Sequence, residues 1–167
     1  MARLELVAAT KEARAPRVRT SAKTVRPHVA PVVPVADNDD QQKDHFITRN
    51  GLTYAGSHLI IDLWEAEGLN DRERIETALI DAVNEAGATM LHIHLHTFEE
   101  GGGISGVAVL AESHISVHTW PEKGYAAFDV FMCGNANPSK AADLLQQAFC
   151  SKRPVRSKIR RGEVASP

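Results

Sequence analysis

Glu112, Ser113, His114 and His118 stand in a stretch, residues 109–120, that otherwise reads as a strand, where such groups are normally avoided. A serine beside a histidine points first to nucleophilic hydrolysis. The strand-to-helix elbow of that chemistry needs Gly-x-Ser-x-Gly, whereas Ser113 sits in Ala-Glu-Ser-His-Ile. Parity is a second objection. Residues five apart on a regular strand face opposite ways, so Ser113 and His118 meet only if the backbone breaks or turns between them. That objection holds for an intact chain and loses force if the chain is cut beside Ser113.

Other residue patterns point to chemistry less strongly. His92, His94 and His96 alternate in His-Ile-His-Leu-His, and an i, i+2 pair can grip zinc. Face-mates on a strand are about 6.5–7 Å apart, so three do not share one ion. No His-Glu-x-x-His or cysteine cluster supports a metal, and none is expected. The triple glycine in Glu-Glu-Gly-Gly-Gly-Ile-Ser-Gly, residues 99–106, offers bare amides for an anion. It lacks the lysine and helix of a phosphate loop and reads as a hairpin connection. Cys133, taken alone, reads as a small core residue.

The elements that must position these residues are legible from periodicity. Leu59, Ile61 and Leu63 alternate with His58, Ile60, Asp62 and Trp64, which predicts a half-buried strand where the ordered part begins, near Tyr54. Ile75, Ala78, Leu79, Ala82, Val83 and Ala86 fall on one helical face, with Asn70 as the expected cap and Gly87 as the stop. Strand-like runs follow at 89–98, 106–112, 113–120 and 125–133. A second helix is expected behind Asn137 and Pro138, with Ala141, Leu144, Leu145 and Ala148 inward. The basic tail from 151 can supply an edge strand protected by its charges. Helices bracketing strands with short connections predict an α+β two-layer sandwich: an antiparallel sheet with two helices packed on one face.

Composition bounds the rest. The 167 residues, 43% hydrophobic and 24% charged, fit one domain, 46–167, plus an extension. Residues 1–45 mix Arg, Pro, Val and Thr without a period and read as a disordered arm. A net charge of −2 gives no global reason to bind nucleic acid or an anionic membrane, and no run approaches a membrane span. Two cysteines, Cys133 and Cys150, do not make a disulfide framework, so a reducing cytoplasm is expected.

The block Glu112-Ser113-His114-x-Ser116-x-His118-Thr-Trp-Pro-Glu122, with Cys133 near the end of the next strand, resembles the bacterial and archaeal S-adenosylmethionine decarboxylase proenzymes. The likeness is dense over 104–134 and colinear from about Ser57 to Phe149. It implies self-cleavage between Glu112 and Ser113, giving chains 1–112 and 113–167 with a pyruvoyl group made from Ser113. Ser105 and His118 match the family's processing positions, an oxyanion partner and the base for the α-proton. Cys133 matches its proton donor. The pyruvoyl group, in place of a bound cofactor, would form a Schiff base with the substrate's amine and accept electrons as carbon dioxide leaves. Phe98 matches the residue stacking on adenine and Glu122 the acid on the ribose, while Asp62 and Trp64 lie in the pocket-forming first strand. That strand reads Ile-Ile-Asp-Leu-Trp-Glu-Ala and departs from the Val-Ala-Glu-Phe-Tyr-Glu-Cys pattern of well-known members. Some relatives act on ornithine or arginine, for which Asp62 would matter more than Phe98, so these remain the alternative amino-acid-type substrates for an enzyme of polyamine biosynthesis. The resemblance also implies a homodimer of processed protomers, agreeing with a sheet that has one face still to be covered.

Overall fold

The computed structural model describes residues 46–99 and 101–164; the extension expected over 1–45 lies outside them. Order begins earlier than Tyr54. Strands β1 (Ile47–Arg49) and β2 (Leu52–Tyr54) form a hairpin turned by Asn50 and Gly51, both at positive φ. Asn-Gly is the pair such a turn prefers, but the strands it joins are only three residues long, too short to show a period.

Strand β3 (Gly56–Trp64) leads to helix α1 (Arg72–Ala86), then β4 (Met90–Thr97), β5 (Ile104–Leu110), β6 (Ser113–Trp120), β7 (Tyr125–Cys133), helix α2 (Pro138–Ala148) and β8 (Arg153–Arg161). The six longer strands make one sheet in the order β4-β5-β6-β7-β3-β8, every neighbour antiparallel. The expected α+β sandwich, an antiparallel sheet with two helices on one face, is the fold observed.

Alternation sorts each strand between two faces. Leu59, Ile61 and Leu63 of β3, Ile115 and Val117 of β6, and Phe128, Val130 and Met132 of β7 are buried in the core with Ile75, Leu79 and Val83 of α1 and Ala141 and Leu145 of α2. The whole predicted face of α1 is buried. Its cap is Asp71 rather than Asn70: the Asp71 carboxylate accepts from the Arg74 N–H at 3.0 Å. An N-cap carboxylate suits the positive end of the helix dipole better than an amide. Gly87 ends the helix at φ 73°. Asn137 caps α2 as expected, but Ala142 is buried while Leu144 and Ala148 pack at the core's margin.

Strand β8 is an edge strand, and one of its charges is used inward. Arg156 pairs with Ile61 and donates to the Asp143 carboxylate at 2.6 Å and the Ala142 carbonyl at 3.1 Å, tying the edge to α2.

Thr119 anchors the end of β6. Its hydroxyl is buried, accepts from the Ile104 N–H at 2.7 Å and donates to the Leu69 carbonyl at 2.8 Å. Thr119→Val keeps the shape and removes both bonds, so urea unfolding should show a loss of about 1–3 kcal/mol.

Candidate active site

Leu110 pairs with Ser113, so Ala111 and Glu112 form a two-residue turn and Ser113 opens a new strand rather than continuing one. Glu112 takes φ 60°. The Ser113 side chain turns to the helix-covered side and is buried, where its hydroxyl accepts from the Cys133 backbone N–H at 3.1 Å. The register of β6 and β7 explains the contact: His114 lies opposite Phe131, which brings the end of β7 beside the start of β6. Cys133 is a partly exposed free thiol. Burial, and then the neighbouring Glu112 carboxylate, push it above the usual thiol range, because both disfavour the thiolate.

Ser105 and His118 are partners across β5 and β6, and the Ser105 hydroxyl lies 2.9 Å from His118 Nδ1. This pair stands at the far end of the ladder. Five residues of strand separate His118 from Ser113, roughly 17 Å at ~3.4 Å per residue, and the two side chains point to opposite faces. One chain therefore joins Ser105 to His118, and Ser113 to Cys133, but does not join the two pairs.

The remaining sequence-derived residues gather at the Ser105–His118 end. Tyr125 donates to Asp62 Oδ1 at 2.5 Å and stacks between Trp64, at a 4.3 Å ring separation, and Trp120, at 5.2 Å. Burial, with the hydrogen bond to the Asp62 carboxylate, pushes the Tyr125 phenol up to about 12. Phe98, just past β4, is half exposed and meets His96 edge-on. Glu122 is exposed on a single 3₁₀ turn, Pro121–Lys123, that follows Trp120.

His92, His94 and His96 share a face opposite Val109, Val107 and Ser105. Among the described residues no group of three or more His, Cys, Asp or Glu is arranged to hold a metal ion.

Sequence reasoning missed the middle of this face. The Arg161 guanidinium can only donate, so its N–H donates a hydrogen bond to His58 Nδ1 at 3.4 Å. His58 Nε2–H then donates to Asp129 Oδ1 at 3.1 Å, and Ser116 donates to Asp129 Oδ2 at 3.3 Å. His114, next in the chain to Ser113, leans against Phe131 and His58. Burial and His58 lower its pKa, Asp129 opposes them, and Arg161 lowers it further. The available signal was parity: Asp129 and Tyr125 share the register of Cys133 along β7.

Residues 57–162 match the family model described as S-adenosylmethionine decarboxylase. A relative named S-adenosylmethionine decarboxylase proenzyme from Thermomicrobium roseum is 40% identical over 110 residues, 65% of this chain and 95% of that protein. One of the same name from Methanococcus aeolicus is 50% identical over 93 residues, 54% of this chain and 79% of its own length. The crystal structure of the adenosylmethionine decarboxylase from Aquifex aeolicus superposes with a TM-score of 0.61 at 35% identity, covering 68% of this chain and 96% of that one.

The raised thiol has a measurable consequence. The alkylation rate of Cys133, followed by peptide mass spectrometry, should climb with pH through a midpoint above that of a free cysteine, about 8.5. Glu112→Gln should move that midpoint down, since it removes the nearby negative charge.

Proposed function

Because the chain belongs to the S-adenosylmethionine decarboxylase family, we propose that it cuts itself before Ser113 and decarboxylates S-adenosylmethionine with the group so formed. The observation that carries this reading is the placement of Ser113 at a turn, its hydroxyl already bonded to the strand end that carries Cys133. Nothing in the geometry favours ornithine or arginine, and the named relatives are S-adenosylmethionine enzymes. Its two cysteines are free, as suits a reducing compartment, and we assign it to the cytoplasm.

In processing, Ser113 Oγ attacks the Glu112 carbonyl carbon. A C–O bond forms, the C–N bond breaks, and the hydroxyl proton passes to the freed nitrogen. The ester then eliminates: a base removes the Cα proton, the Cβ–Oγ bond breaks and Glu112 leaves as a carboxylate. Water hydrolyses the remaining enamine, through its imine, to a ketone and ammonia. Ser105 stabilises the oxyanion and His118 takes the α-proton, tasks suited to a hydroxyl donor and an imidazole.

Ser105 and His118 stand roughly 17 Å from the Ser113 of their own chain, by the strand rise used above, so we infer that they act on a second copy. The open face displays Ile60, Val109, Trp120, Val155 and Ile159, each more than a third exposed. Among the described residues nothing covers them, and exposed apolar faces mark interaction surfaces. Stacking two such faces about a two-fold axis between the sheets and across the strands sets the Ser105–His118 end of one copy over the Ser113–Cys133 end of the other. Phe98, Glu122, Asp62 and Trp64 then arrive with Ser105 and His118, bringing the stacking ring, a carboxylate for the ribose hydroxyls and the aromatic wall.

The pyruvoyl group supplies the electron sink for loss of carbon dioxide. Cys133, held protonated at Sγ, returns a proton to the substrate carbon.

Denaturing mass spectrometry should find chains 1–112 and 113–167, with Ser113→Ala uncut and inactive, and carbon dioxide release should be seen with S-adenosylmethionine rather than with ornithine or arginine. An intact 18.2 kDa chain in active protein would sink the proposal. The shared site makes a sharper prediction: His118→Ala alone stays uncut, but co-expressed with Ser113→Ala it is cleaved, because the Ser113→Ala partner supplies an intact His118. If the His118→Ala chain stays uncut in that mixture, the site is built within one protomer.

A further inference from the structure

The turn that precedes Ser113 has an unfavourable backbone. Glu112 sits at φ 60°, where an L side chain crowds its own carbonyl and where glycine or asparagine is normally found. Ala111 is not among the positive-φ residues, so the turn is not the doubly left-handed kind that matches the twist of two antiparallel strands. The pairing of Leu110 with Ser113 and the bond from the Ala111 N–H to the Thr89 carbonyl at 3.0 Å hold the turn on both sides. The structure also uses positive φ outside glycine at Asn50, Glu65 and Cys150. Asn50 tolerates it, and of the four only Glu112 contributes a carbonyl to the Glu112–Ser113 bond.

We propose that this left-handed Glu112 is a positioning residue for self-cleavage, its backbone strain driving the peptide toward the ester. The inference deepens the processing reading above and rests on it. Its chemistry is the acyl shift already written: the path from the Glu112 carbonyl carbon to the Ser113 Cα runs through one atom, N, in the peptide. In the ester it runs through two, Oγ and Cβ. The extra atom and its rotatable bonds let Glu112 relax toward the extended region while both ladders stay paired. Strain present in the peptide and absent in the ester moves their equilibrium toward the ester, and elimination then drains it.

Two pairs of variants separate backbone from side chain. Glu112→Ala removes the carboxylate and keeps the left-handed penalty; Glu112→Gly removes both. Pulse–chase after cell-free translation should show Glu112→Gly cleaving roughly five- to thirtyfold more slowly than Glu112→Ala, the size expected from the left-handed penalty of an L residue. In the uncut Ser113→Ala background the order should invert as stability: Glu112→Gly should melt roughly 2–5 °C above Glu112→Ala. Equal or faster cleavage of the glycine variant, or no gain in melting temperature, overturns the strain proposal while leaving self-cleavage standing. A wild-type chain that is never cut overturns both.

Discussion

A strand has two faces, and in this sheet the helices cover only one. Every site residue is placed by that division. Successive side chains alternate without exception across β6 and β7, so Ile115, Val117, Phe128 and Val130 go to the core while His114, His118, Asp129 and Cys133 go to the open face. The core side is apolar except for hydrogen-bonded groups such as the Thr119 hydroxyl and fixes the register, because a slip of one residue would bury the histidines and expose the phenylalanine. Burial of one face is thus what aligns Ser105 with His118 and brings the end of β7 to Ser113. The polar constellation is held by hydrophobic residues it never touches.

Electrostatics on the open face follow from partial burial more than from close ion pairing. The groups whose titration is displaced, His114, Tyr125 and Cys133, are each moved first by loss of solvent. All three are thereby kept in their uncharged forms. A face of neutral imidazole, phenol and thiol can be stacked against another copy with far less desolvation than a charged one. The Arg161–His58–Asp129–Ser116 chain pairs the charged groups near the middle of the face.

Much of this was readable from residue order, and the failures have physical causes. The face of α1 and the inward set of β3 followed from strict periodicity, which buried positions cannot violate cheaply. The cap of α1 was misplaced by one residue because Asn70 and Asp71 both suit the position and only the backbone chooses between them. The first hairpin went unread because its strands carry too few residues to show a period. Ser113 opens β6 behind a two-residue turn, and the parity objection to its meeting His118 holds within one chain. Neither could composition reveal the stacking of Trp64, Tyr125 and Trp120, which come together only across three strands.

Where a chain can be cut without falling apart is itself a constraint on where such a serine can stand. A break inside a strand would separate residues that share ladder bonds, whereas a break at a tight turn removes a connection and leaves the ladders whole. The topology makes this decisive. Strand β3, from the segment before Ser113, is inserted between β7 and β8, both from the segment after it. Strand β6 in turn lies between β5, from the segment before Ser113, and β7, from the segment after it. The two segments therefore share three ladders, β5–β6, β7–β3 and β3–β8, as well as the packing of α1 on α2, where Arg74 donates to the Ala148 carbonyl and Lys140 meets Glu85. Separation would have to break all of these together. A turn at 111–112 is a place where the backbone can be both strained and expendable, and the interlocked strands are what make it expendable.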